Sequence, residues 1–442
     1  MPTQLDGRRR SRGRGPQAMV VGGCVGLPVV LATLLVCVYM VNNRPVRYVV
    51  PTHALPHPNA YDDFVRAGVL VSQVKHVSPI SQAKPDFSFA SFEAAAIDAR
   101  PALAILRRGL AREYLNPPVR SVAASAVMPQ YAAFRNLART ESGVAFYFEM
   151  DDKPAAATEA RLDALEMGVM MPRGGHMIAG LVGVACEAIA VSAMERPLTK
   201  LSAAELAHVA ERLERIESRR VPFADVLQEE GYTQTSLDVE MLNDPKGYRN
   251  LDTLRDLLAE DDPSAPTPGT RKPLTIQQDL EGLKFIVADK AAIVRDNQAY
   301  SDALVAEARG PYSGASTVLV PNNLLAQMRG GIFMQARAKF AAMDAVQAVL
   351  RTEVALLRYK RAHGRFPATL DALSPEYLRP ERMTDPFTQA PLRYRPTGSS
   401  FLLYSIGTDL KDGGGTPCRS PVNGPGDIVA GRMWPNRRTF KK

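Results

Sequence analysis

The sequence predicts a predominantly helical α+β protein. It combines a single N-terminal transmembrane helix, a large α-helical extracytoplasmic domain, and a C-terminal long helix followed by a small antiparallel sheet. Three observations predict this. Ala18 to Val41 contains no charged residue. From about Ser91 to Ala259, apolar residues recur at three- and four-residue spacing, the period of an amphipathic helix. Beyond His363 the pattern shortens to strand-like runs, Leu392–Arg395 and Phe401–Ser405, with Pro396-Thr-Gly-Ser-Ser400 between them as a turn of hairpin length.

At 442 residues the chain exceeds the usual size of one domain. Its 46% apolar and 23% charged residues are ordinary for a folded protein. The net charge of +8 is largely Arg8, Arg9, Arg10, Arg12 and Arg14, which precede the charge-free run. Membrane topology accounts for them better than nucleic acid does, because no aromatic–basic alternation of the single-strand-binding kind follows. Cys24 and Cys37 fall in the apolar run, and Cys186 and Cys418 stand alone. No Cys-x-x-Cys spacing exists, so a zinc site built on cysteine pairs is excluded, while a Cys186–Cys418 disulfide would require an oxidising compartment.

Taken in order, residues 1–17 form a basic cytoplasmic tail. Residues 18–41 are long enough to span a bilayer core, for which about 20 apolar residues suffice. A cleavable signal peptide would have a shorter apolar region and a small-residue cleavage site, whereas this run ends Tyr39-Met-Val-Asn-Asn-Arg44. The arginines before the run outweigh Arg44 and Arg47 after it, which leaves the N-terminus cytoplasmic and the bulk outside, at a bacterial inner membrane. Residues 42–90 read as a Pro-rich tether interrupted by a short helix around Ala60–Leu70, and its His53, His57 and His76 lack a convergent ligand set.

Residues 91–321 form the helical domain, with helices expected over Ala94–Tyr114, Tyr131–Thr140 and Ala155–Met171. The segment 176–194 is apolar enough for a second span, but Glu187 at its centre favours a buried bundle helix, since an unpaired acid in the bilayer costs about 2–3 kcal/mol or more. Ser202 and Glu205 form a capping box at the start of Leu201–Arg219. Helices are expected at Ala224–Glu230, Leu251–Ala259 and, as one stretch, Leu274–Ala308. The C-terminal module, residues 322–442, opens with a helix over Asn323–His363 carrying an apolar stripe that includes Phe340, Val346, Leu350 and Leu357. Gly330-Gly331 marks a kink, and Gly364 stands where a helix C-cap belongs.

Several spaced motifs then occur together: Tyr359-Lys360, His363-Gly364-Arg365-Phe366-Pro367, Leu370 and Leu373, Asp385-Pro386-Phe387 with Pro391, and Tyr404-Ser405-Ile406-Gly407-Thr408-Asp409. In this order they resemble the soluble module of the major pseudopilins of type II secretion, over about a fifth of the chain. The resemblance implies a loop folded around a calcium ion, with Asp409, the Ile406 carbonyl and Asp427 at the matching positions. Asp412 is a further oxygen ligand suggested by the residues alone, since a hard cation takes six or more oxygens. The loop between Asp409 and Asp427 is longer than the family's and carries Pro417, Cys418, Pro421 and Pro425, with Gly426 where a second acid is expected.

No HExxH, GxSxG, Walker or GxGxxG pattern occurs. Gly174-Gly-His176 and Tyr312-Ser-Gly-Ala-Ser316 read as turns, and His176 and Glu187 stand about three helical turns apart. The expectation is a non-enzymatic, membrane-anchored structural or interaction protein with a protein partner in the cell envelope. Two alternatives stand beside it: an atypical pseudopilin, which processing at Gly15 would support, and an extracytoplasmic enzyme with a site in the helical domain.

Overall fold

The computed structural model describes residues 29–30, 32–34, 36–73, 88–126, 128–244, 275–328, 332–422 and 424–432. The chain divides into two compact units, one made of residues 1–47 and 241–295, the other of 48–240 and 296–442. The expected helix at Leu251–Ala259 and the kink at Gly330-Gly331 lie outside the described residues, as do His76 and residues 18–28, 31 and 35 of the apolar run. The described residues from Val29 to Asn42 are helical. No helix among the described residues is long and apolar enough to cross a membrane.

The larger unit is a helical bundle with a small sheet at its C-terminal end. Helix α1, Ala60–Gln73, begins at Asn59, whose side-chain amide bonds both backbone groups of Leu115 at 2.8 and 3.1 Å and so ties the helix start to a segment 56 residues on. Its Phe64, Ala67 and Val71 are core residues. Helix α2, Phe89–Leu110, is capped by Ser88 and continues through Pro101; α3 spans Gln130–Met150. Helix α4, Pro154–Met170, is buried on every side from Ala160 to Met170, which places it at the centre of the bundle. Charged Arg161, Asp163 and Glu166 are tolerated there because each has an ionic partner.

Helix α5, Met177–Val191, lies against α4, and the two backbones meet at Gly168 and Gly183. A Cβ on either glycine would fall within 3 Å of the other helix's backbone, so neither position admits a side chain without separating the helices. The apolar segment 176–194 is thus a bundle helix with Glu187 buried inside. The capping box of α6, Ala203–Ser218, is present: Ser202 Oγ accepts the Glu205 N–H and Glu205 bonds back to the Ser202 N–H at 2.8 Å.

Helix α7, Phe223–Asn243, is three times the length expected from Ala224–Glu230. It continues through Gly231, where a Cβ would press on Ser301 at 3.1 Å, so this glycine serves close helix packing and not a stop. The single helix expected over Leu274–Ala308 is two: α8, Ile276–Val287, and α9, Lys290–Ala308. Ala288 turns to extended backbone, and Asp289 accepts the Ala291 N–H at 3.0 Å, starting a new helix. Asn323–His363 is likewise a short turn, Leu324–Gln327 capped by Asn323, and then α10, Ile332–His363. Gly364 closes α10 in the left-handed conformation, as its position predicts.

Two 3-10 turns, Leu370–Leu373 and Pro380–Met383, lead to strands β1, Arg393–Thr397, β2, Ser400–Ser405, and β3, Ile428–Val429. The sheet is antiparallel in the order β1-β2-β3, with Arg393 opposite Tyr404 and Tyr404 opposite Val429. Pro396 is accommodated because β1 is an edge strand, which lets the ladder run one residue further and leaves Gly398-Ser399 as the turn. One apolar cluster links Phe64, Phe134, Leu165, Val346, Leu403 and Ile428, and so runs unbroken from α1 through α10 to β3, across position 322.

Candidate functional site

The C-terminal acidic loop is built on two clamps. Asp385, buried after the second 3-10 turn, accepts the Ser405 hydroxyl at 2.9 Å, the Ile406 N–H at 3.1 Å and the Phe387 N–H at 3.0 Å, which fixes the Asp-Pro-Phe turn to the end of β2. Gly407 then takes a positive φ of 76°, and a Cβ there would overlap the Gly426 carbonyl oxygen. The second clamp is Asp427. It is fully buried and accepts three backbone N–H groups, from Gly413 at 3.1 Å, Gly415 at 2.6 Å and Thr416 at 3.0 Å. Its own backbone completes the wrap: the Asp427 N–H donates to Thr416 O, and the Cys418 N–H donates to Asp427 O.

Asp409, Asp412 and Asp427 are therefore brought into one loop, as the sequence expects, but each spends its oxygens on other partners. Asp409 accepts the Gly426 N–H at 3.0 Å. Asp412 accepts the Gly414 N–H at 3.0 Å and the Tyr404 hydroxyl at 2.9 Å and faces Arg393 at 3.3 Å; those bonds hold it below the usual carboxylate range. The Ile406 N–H donates to Asp385. Among the described residues, no group of three or more His, Cys, Asp or Glu side chains converges as a metal shell. The N–H groups of Gly413, Gly415 and Thr416 form a cradle that the Asp427 carboxylate itself fills.

A second polar assembly lies between α5, α6, α10 and the Pro380–Met383 turn. Glu187 is paired with Arg220 at 2.7 Å and accepts the Gln347 amide at 2.9 Å. Arg220 also meets Glu217 at 3.0 Å, and Glu217 is held in turn by Arg351 at 2.8 Å and Arg382 at 3.2 Å. Burial alone would raise Glu217; Arg351, Arg220 and Arg382 outweigh it and hold its carboxyl low. The sequence-level pairing of Glu187 with His176 gives way to this one: His176 caps α5 beside Tyr131, and burial pushes its imidazole pKa down. Arg220 and Gln347 had no motif around them. The only available signal was a glutamine in the buried stripe of α10, four residues before Arg351.

Two buried acids stand apart. Glu141 in α3 has no hydrogen-bond partner on either oxygen, with Arg107 at 3.6 Å, and burial raises its pKa well above the usual range. Burial, with Glu195 nearby, pushes Glu353 in α10 up to about 8. A cavity of about 240 Å³ between α5, α7, α9 and the start of α10 is lined by Leu181, Leu227, Leu304 and Phe333, with Asp238 and Asn297 on its wall; neither Glu141 nor Glu353 lines it. Asn297 donates to Asp238 at 2.9 Å and accepts from Asn323 at 2.8 Å. Cys186 and Cys418 are buried free thiols, so the disulfide between them is not formed; burial raises both, Cys418 to about 11. Gly174 is in a turn at positive φ, and Ser316 and Thr317 bond Glu307.

Glu353 gives a pH prediction. Its folded pKa of about 8 lies above the ordinary 4.5, so between these values the unfolded chain binds fewer protons and stability falls as pH rises. Replacing it with methionine is expected to flatten that slope and to stabilise the chain by about 1–3 kcal/mol at pH 7, with little change at pH 4. Urea unfolding at the two pH values measures it.

Comparison with protein-family models, with curated proteins and with solved structures returns no match.

Proposed function

We propose that this chain is a membrane-anchored extracytoplasmic structural or interaction protein, in which the pseudopilin-like helix and hairpin are one packed body with the helical bundle. The observation that carries this reading is α10: its Val346, Val349 and Leu350 belong to the same apolar cluster as Leu165 of the bundle and Leu403 and Ile428 of the sheet. The buried charges support a rigid scaffold, because Glu187, Glu217, Arg220 and Arg351 are engaged with one another across elements. The charge-free run 18–41 with its preceding arginines supports the anchor and the outward orientation of the bulk. A protein partner in the envelope belongs to the same reading.

Membrane topology tests it. Full-length chain is expected to stay with membranes through alkaline carbonate, and protease added outside intact spheroplasts is expected to digest the bulk while sparing the N-terminal tail. Release by carbonate, or protection of the bulk, would overturn the proposal.

A further inference from the structure

The smaller unit carries an apolar face that its own packing does not use. In α8, Ile276, Leu280, Leu283 and Val287 are 81, 52, 48 and 47% exposed, large values for such side chains. At 3.6 residues per turn, these four positions fall within roughly 60° of arc, one continuous stripe about 18 Å long. Gly282 and Phe285, on the other side, are the residues α8 buries. The stripe is thus a second face, flanked by Asp279 and Lys284.

The place of α8 in the unit indicates what covers this face. The side-chain amide of Asn42, immediately after the apolar run 18–41, donates to the Val287 carbonyl at 2.9 Å. Val46, four residues on, exchanges two hydrogen bonds with the Asn243 side chain, at 2.7 and 3.0 Å. The C-terminus of α8 is therefore tied to the point where the chain leaves the proposed anchor, the level of the headgroups. We infer that α8 lies on the outer leaflet as an interfacial helix, with Ile276, Leu280, Leu283 and Val287 in the acyl boundary. Helices of this kind bury their apolar face about 5–10 Å below the surface. With Asp279 and Glu281 against Lys284, charge attraction to anionic lipid plays little part, so zwitterionic lipid suffices. This inference rests on the membrane-anchor reading, and its test separates the two.

The test uses the full-length chain in phosphatidylcholine nanodiscs, with Cys24 and Cys37 replaced by serine and the buried Cys186 and Cys418 left in place. An environment-sensitive fluorophore is attached at one introduced cysteine: Leu280→Cys or Leu283→Cys on the stripe, Glu281→Cys off it, or Thr33→Cys in the apolar run. Lipids with a quencher near the headgroup or near the bilayer centre report depth. The expected result is shallow quenching at 280 and 283, aqueous quenching by iodide at 281, and deeper quenching at 33. The paired change Leu280→Asp with Leu283→Asp is expected to abolish shallow quenching of a label at Val287→Cys. Quenching at 33 with the stripe open to iodide would overturn the inference and leave the anchor standing. Lipid quenching at none of these positions would overturn both. Cross-linking between stripe cysteines of two chains, without lipid quenching, would assign the face to a second copy and overturn the inference.

Discussion

Replacing Asp427 with alanine is expected to destabilise the chain by about 3 kcal/mol or more, since each stranded buried donor costs about 1–3 kcal/mol. The carboxylate satisfies the N–H groups of Gly413, Gly415 and Thr416 at once, and alanine supplies no acceptor for any of them. Asn at this position keeps one acceptor oxygen and is expected to fall between wild type and alanine. Thermal unfolding of the full chain measures both, with calcium and with chelator. The loss is expected to be the same in either, because the groups that hold this carboxylate are amides. A rise in midpoint with calcium that Asp427→Ala or Asp409→Ala abolishes would mean that the loop rearranges to form the oxygen shell its family resemblance implies.

Replacing Arg220 with methionine is expected to cost about 3–5 kcal/mol, the usual penalty for removing one member of a buried ion pair. Methionine fills the space of the side-chain stem, so the loss is chiefly electrostatic. Glu187 would retain only the Gln347 amide, and Glu217 would lose one of its three guanidinium partners. The double change Glu187→Leu with Arg220→Met removes both buried charges and is expected to recover part of the loss. Urea unfolding of the two single variants and the double variant gives the coupling between them. Additive losses would show that Arg220 acts through Glu217 and Asp344, which it also meets at 3.2 Å, and not through Glu187.

What the sequence made legible was local. The capping box at Ser202, the left-handed cap at Gly364 and the hairpin around Gly398 each depend on residues within a few positions of one another, and each stands in the structure. The breaks were less legible. Ala288 is a good helix former, and only the capping of α9 by Asp289 reveals that α8 ends there. The continuation of α7 past Glu230 was not legible, because the close contact that Gly231 permits is with Ser301, 70 residues away. The central place of α4 was hidden by its charges, whose partners Glu149 and Arg212 lie on other helices. At the candidate site the sequence named the acids correctly as one loop. The backbone N–H groups that hold Asp427 were not legible, because they leave no mark in residue types.

Helical bundle and C-terminal module share one core through α10. Native-state hydrogen exchange across a urea series tests it most directly, by comparing the amides of Leu403 and Tyr404 in β2 with those of Val184 and Cys186 in α5. As urea rises, both sets are expected to merge into one opening with a single free energy and a single slope. If the β2 amides open at markedly lower free energy with a smaller slope, while α5 stays protected, the module is a separate unit that shares no core with the bundle.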